Sequence, residues 1–248
     1  MTSEIDRLRS AMEKFDYPDF MIKRVIELTT ELQHYGVHTE RFVRRLSECL
    51  SDREFYIDIF KEGRFALALA KSGFKDIALE YKPKGPDILA SHEGQKIYFD
   101  VTRKRSNTDE WAEENDAFSF GGANISRIIT KISIKKCQFI HGALNVVVLW
   151  SDTITWGERE VEEAFGYITQ EREQTKAYEW LSGLLFTEGG VNLSKIKQFK
   201  LLRNKNALMR IGDHLAIKLE SLLERDREEW QKEIDEMTEA LRKIKNLK

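Results

Sequence analysis

The sequence predicts an α/β protein with a helical segment at each end, and three observations carry that prediction. Short runs rich in Ile, Val, Tyr and Phe, namely 77–81, 85–90, 96–103 and 145–150, read as strands. Apolar residues at helical spacing mark helices before and after them, over 54–74 and from Asn124 to Phe139. Residues 1–50 and 212–248 carry helical periodicity and no strand pattern. The expected organisation is therefore an N-terminal helical segment (1–50), an α/β core with extra strands and a mixed central sheet (51–211), and a long C-terminal helix (212–248).

The N-terminal segment divides into three helices. Ile5, Leu8, Met12 and Phe15 fall on one face before Tyr17-Pro18 breaks the run. Val25, Ile26, Leu28 and Leu32 follow, ended by Tyr35-Gly36, and Phe42, Val43, Leu46 and Leu50 mark the third helix. His34 and His38 are four apart, but Gly36 between them argues for surface histidines. Ser51-Asp-Arg-Glu54 has the form of a capping box, which gives Glu54 a structural task at the start of the next helix. That helix is apolar around much of its circumference (Ile59, Phe60, Ala66, Leu67, Ala70), as in a buried core helix, with Glu62 on the flank of the apolar arc.

A first strand over 77–81 leads through a turn with two prolines and a glycine (Lys82 to Pro86) into a hairpin. Its strands, 85–90 and 96–103, are joined by the polar turn Ser91-His92-Glu93-Gly94-Gln95. Each strand carries one carboxylate in apolar company, Asp87 near the start of the first and Asp100 near the end of the second. An antiparallel pairing brings these two ends together. Alternation places Asp100, Thr102 and Lys104 on one face and Arg103 on the other. Two carboxylates on partly buried strands repel unless a positive charge lies between them, and a divalent cation with oxygen ligands is the obvious partner.

Pro86-Asp87, twelve residues, then Asp100-Val101-Thr102 resembles the PD-(D/E)xK motif of restriction-endonuclease-like nucleases. The preceding helix with its acidic Glu62 is similar to the first core helix of that family. The order helix, three strands, helix, strand over residues 54–150 is similar to its αβββαβ core. The resemblance implies hydrolysis of phosphodiester bonds with Mg²⁺ or Mn²⁺. It implies Asp87, Asp100 and the Val101 carbonyl as ligands with Glu62 nearby, and nucleic acid, DNA ahead of RNA, as partner. The family lysine two residues beyond the second acid is here Thr102, which cannot supply the positive charge that steadies a developing phosphorane. Lys104 lies about 6.6 Å further along the same face at ~3.3 Å per residue. Lys131 on the following helix and Lys84 in the preceding turn are further sources of charge, and no single substitute stands out. Thr102 and Lys104 or Lys131 complete the expected catalytic set. The second reading is a nuclease-fold protein without activity that binds nucleic acid or a protein partner.

From Arg105 to Gly122 the chain is charged and without period, ending in Phe120-Gly-Gly-Ala, a lid or an excursion by composition. On the next helix Arg127, Lys131, Lys135 and Gln138 form a stripe beside the apolar face of Ile125, Ile128, Ile129, Ile132 and Phe139. Position and chemistry suit phosphate contact and an ordinary exposed face alike. Thr155-Trp-Gly-Glu158 opens another helix, with Val161, Ala164, Phe165 and Ile168 inward. Residues 180–186 and 198–202 read as two more strands. Between Val191 and Ile211 the basic residues Lys195, Lys197, Lys200, Arg203, Lys205 and Arg210 occur with no acid, which together with Arg103, Arg127 and Lys135 forms the expected nucleic-acid surface. Asp213 then opens the last helix, whose later part repeats Leu223, Trp230, Ile234, Met237, Leu241 and Ile244 like a coiled-coil seam. That seam pairs either with residues 1–50 or with a second subunit.

Composition bounds the rest. The chain has 248 residues, 33% of them charged, and a net charge of −2, so any phosphate steering must be local rather than global. No run of eighteen apolar residues suits a membrane span, and the polar N-terminus predicts no secretory signal. Cys49 and Cys137 lack metal spacing and predict a reducing, cytoplasmic setting.

Overall fold

In the computed structural model, the structure describes residues 4–80, 84–104, 122–151, 157–170, 176–188, 199–223 and 235. Among these, seven α-helices surround one mixed sheet. The helices are α1 (Glu4–Lys14), α2 (Asp19–His34), α3 (Glu40–Glu48), α4 (Arg53–Lys71), α5 (Gly122–Ile134), α6 (Glu158–Gln170) and α7 (Asp213–Glu220). The strands are β1 (Lys75–Leu79), β2 (Ile88–His92), β3 (Gln95–Lys104), β4 (Leu144–Ser151), β5 (Gly183–Glu188) and β6 (Lys200–Arg203), and they lie side by side in chain order. The first three run antiparallel, β3, β4 and β5 are parallel, and β6 returns antiparallel to β5.

The sheet has a different set of helices on each face. Val146, Val148 and Trp150 of β4 pack with Phe99 and Val101 into the larger core, shared with α1–α4 and α7. Val147 and Leu149, the alternate residues of the same strand, pack with Ile128 and Ile132 of α5 and Val161, Ala164 and Ile168 of α6. A strand buried on both faces is nearly all apolar, and Val146 to Trp150 is such a run. No helix among the described residues is long and apolar enough to cross a membrane.

Several local expectations change. The cap of α4 is Asp52, whose carboxylate accepts the Phe55 N–H at 3.0 Å, and not Ser51. Glu54 is thereby released from a capping box, and Arg103 takes it. The hairpin turn contracts to two residues, Glu93 and Gly94, with φ of 50° and 79°. Those left-handed angles match the twist of the two strands, so β2 runs on to His92 where a five-residue loop was expected. The helix opening at Asp213 has its N-cap at Gly212 and stops at Glu220. Of the seam residues only Leu223, an exposed bridge residue, is described. The charged segment 105–121, Thr155-Trp156, Lys195, Lys197 and the rest of the seam lie outside the described residues.

Candidate metal and phosphate site

The β2–β3 register pairs Ile88 with Phe99, so Asp87 lies one step beyond this pair, beside Asp100. Asp87 accepts the Val101 N–H on Oδ2 at 2.8 Å, which locks its carboxylate against β3. Asp100 is fully buried, on the face of β3 opposite Phe99 and Val101, with Thr102 two residues further along that face. No N–H or hydroxyl donor reaches Asp100 Oδ2 among the described residues.

Lys135 places a positive charge beside Asp100. Its Nζ lies 2.5 Å from Asp100 Oδ1, with the lysine side chain 16% exposed. The α-helix ends at Ile134 and the chain tightens into a single 3-10 turn over Lys135–Gln138. A 3-10 turn advances each residue by about 120° where an α-helix advances ~100°, so Lys135, the first residue of the turn, stays within ~20° of its helical direction. Lys131, one turn earlier, makes no ion pair with either aspartate among the described residues. Lys104 ends β3, and Lys84 is exposed in the turn before Asp87 with a left-handed φ of 57°.

The third carboxylate comes from α4. Glu54, Asp58 and Glu62 are spaced by four and share one side of the helix. Arg103 takes the first two, with Nη2 at 2.6 Å from Glu54 and Nε at 2.9 Å from Asp58. Its side chain is 4% exposed, so this guanidinium is an internal tie between β3 and α4. Glu62, also buried, is held by Arg45 of α3 at 2.9 Å. Arg45 also pairs with Glu80, and its guanidinium lies over the Phe55 ring at 5.1 Å. One carboxylate oxygen each of Glu62, Glu80 and Asp87 lies within 4.8 Å of the others. Glu80 follows β1 with a left-handed φ of 54°, and its N–H donates to the Asp87 carbonyl at 2.7 Å.

The electrostatics follow from crowding acids in a buried place. Burial and then the neighbouring Asp87 raise Glu62 well above the ordinary carboxylate range, against the pull of Arg45. Burial raises Asp87 as well, opposed by Lys135 and the Val101 N–H. Burial and the Asp87 charge push Asp100 up to about 8, although Lys135 pulls it down. Burial alone would lower Lys135, but Asp100 and Asp87 outweigh it and hold the ammonium above the usual lysine range. Lys135 is therefore a fixed positive charge at neutral pH and not a base. Four carboxyl groups, Glu62, Glu80, Asp87 and Asp100, share two cations here, Arg45 and Lys135. The donor set is all oxygen, which is the set hard divalent cations take.

Among the other expected contacts, Arg127 is half-buried on α5. Lys200 pairs with Glu158 and Glu162 of α6, and Arg203 pairs with Asp213 at 2.5 Å, so nearby acids already answer these two charges. Lys205 and Arg210 are exposed. Two residues of the site were not singled out from sequence: Arg45 and Glu80. Glu80 had a signal, a carboxylate directly after the apolar run Ile77-Ala-Leu, whereas Arg45 looks like any arginine on a charged helix. No family model, no curated protein and no solved structure matches this chain.

Proposed function

We propose that the protein is a metal-dependent nuclease that hydrolyses phosphodiester bonds in nucleic acid. The observation that carries this reading is the meeting of Asp87, Asp100 and Glu62 with one buried lysine, Lys135, which answers for the threonine at position 102. The order α4, β1, β2, β3, α5, β4 supports it as well, being the αβββαβ order expected of a restriction-endonuclease-like core.

Asp87 and Asp100, with Glu62 beside them, would hold Mg²⁺ or Mn²⁺. Such a cation supplies Lewis acidity toward a phosphoryl oxygen. Lys135 keeps its ammonium next to Asp100, where it neutralises charge that develops on the phosphate during attack. Thr102, on the Asp100 face, offers a hydroxyl to orient the attacking water. Arg45 fixes the Glu62 carboxylate and cancels part of its charge, and Arg103 braces β3 against α4.

Cleavage of single- and double-stranded DNA and RNA in Mg²⁺ and in Mn²⁺ tests the proposal, with Asp87→Ala purified identically as control. Cleavage by the wild type alone is expected. Equal cleavage by both proteins, or none by either with Mn²⁺ binding also absent, would overturn the reading.

A further inference from the structure

We infer that a second cation site, of transition-metal type, lies at the opposite end of the β2–β3 hairpin and joins it to α7. His92 ends β2, Glu93 opens the two-residue turn, and His214 is the second residue of α7. One donor atom from each lies within 4.8 Å of the other two. His214 Nδ1 is 3.0 Å from Glu93 Oε2, and the His92 and His214 rings lie 5.7 Å apart, centroid to centroid, and tilted by 33°. The His92 ring also packs on Phe74, 5.1 Å between centroids.

The second observation concerns His92 itself. Its Nε2 is buried and has no hydrogen-bond partner among the described residues. A buried imidazole nitrogen left without a partner is costly, and satisfying it takes a proton donor or a metal. Two imidazoles and one carboxylate with an open fourth position make a zinc-type set, with bonds of about 2.0–2.2 Å. Mg²⁺ and Ca²⁺ prefer oxygen and are poorly served by it, which separates this site from the all-oxygen cluster at the other end of the hairpin. Ligands from a strand end, a tight turn and a helix would tie together elements distant in sequence, since 121 residues separate Glu93 from His214. The Glu93 and His214 side chains are 65% and 72% exposed, so two of the three ligands face solvent.

The test uses the full chain, without an affinity tag and stripped by chelator, titrated with Co²⁺ in a large excess of Mg²⁺. One equivalent is expected to bind with the intense visible absorption of a four-coordinate ion and to be displaced by Zn²⁺. His214→Ala and Glu93→Gln are expected to weaken binding at least tenfold. Because both side chains are exposed, circular dichroism should show these variants folded. A variant carrying His34→Ala and His38→Ala is expected to bind as the wild type does. Zn²⁺ should raise the Tm of the wild type and leave that of His214→Ala unchanged. Absence of Co²⁺ uptake, or uptake that His214→Ala leaves intact, would overturn the inference.

Discussion

Replacing Lys135 with Met separates its role as a charge from its role as packing. Met keeps most of the length of the stem and removes the ammonium 2.5 Å from Asp100 Oδ1. Removing one member of a buried ion pair typically costs about 3–5 kcal/mol, because the partner is left charged and dry. Asp100 escapes much of that cost by taking up a proton, since burial and Asp87 already push it up to about 8. Stability near neutral pH should therefore fall by less than the full amount, and the main loss should be in chemistry. Removing a preorganised stabiliser of developing negative charge typically lowers kcat by about 10²–10³, or ~2.7–4 kcal/mol. Mn²⁺ affinity should hold or rise, because a positive charge has left the ligand cluster. The assay pairs single-turnover cleavage with Mn²⁺ titration for Lys135→Met, Lys135→Arg and Lys131→Met. Lys135→Arg should recover part of the rate, and Lys131→Met should lose far less than Lys135→Met. A Lys135→Met protein that cleaves within about threefold of wild type, or that loses Mn²⁺ and cleavage in parallel, would refute this assignment.

Three more outcomes follow from the same geometry. Without metal, stability should fall as pH rises from about 4 towards the raised Asp100 value of about 8, because the folded state there holds more protons than the unfolded chain. Added Mn²⁺ should reduce that fall, which urea titrations across the range would measure. Arg103→Ala should lower Tm substantially by leaving Glu54 and Asp58 without their buried partner, yet leave the salt dependence of nucleic-acid binding unchanged, since Arg103 is committed inside the protein. Gly63→Ala should destabilise despite its better helix propensity. Its Cβ would lie 2.6 Å from Cζ of the fully buried Phe42, and overpacking of that kind costs about 1–3 kcal/mol against a gain of ~1 kcal/mol. A rise in Tm for Gly63→Ala would show that Phe42 gives way freely.

The sequence by itself determined what local rules govern. Apolar spacing of three and four located α1 to α4. The uninterrupted apolar run through Val146 to Trp150 marked a strand, and the structure buries it on both faces. Alternation along β3 placed Asp100 and Thr102 on one face and Arg103 on the other, and Arg103 does turn to α4 while Asp100 meets Lys135. The convergence of Asp87 and Asp100 followed from hairpin pairing, which needs only the order of the residues.

Only the tertiary structure decided which cations answer those acids. Lys135 belonged to a stripe with Arg127, Lys131 and Gln138, and the docking of α5 on the sheet through Ile128 and Ile132 brought it to Asp100. Arg45 reaches Glu62 from a helix 17 residues earlier, and Glu80 joins through a left-handed backbone angle after β1. Arg103, basic like its neighbours in sequence, is taken up by one glutamate and one aspartate of α4. Side-chain charge pairs depend on distances across elements, and strand or helix periodicity fixes directions only within one. That is why the carboxylates of this site were legible from residue order, while the lysine beside them, Lys135 and none of the expected Lys84, Lys104 and Lys131, waited on the fold.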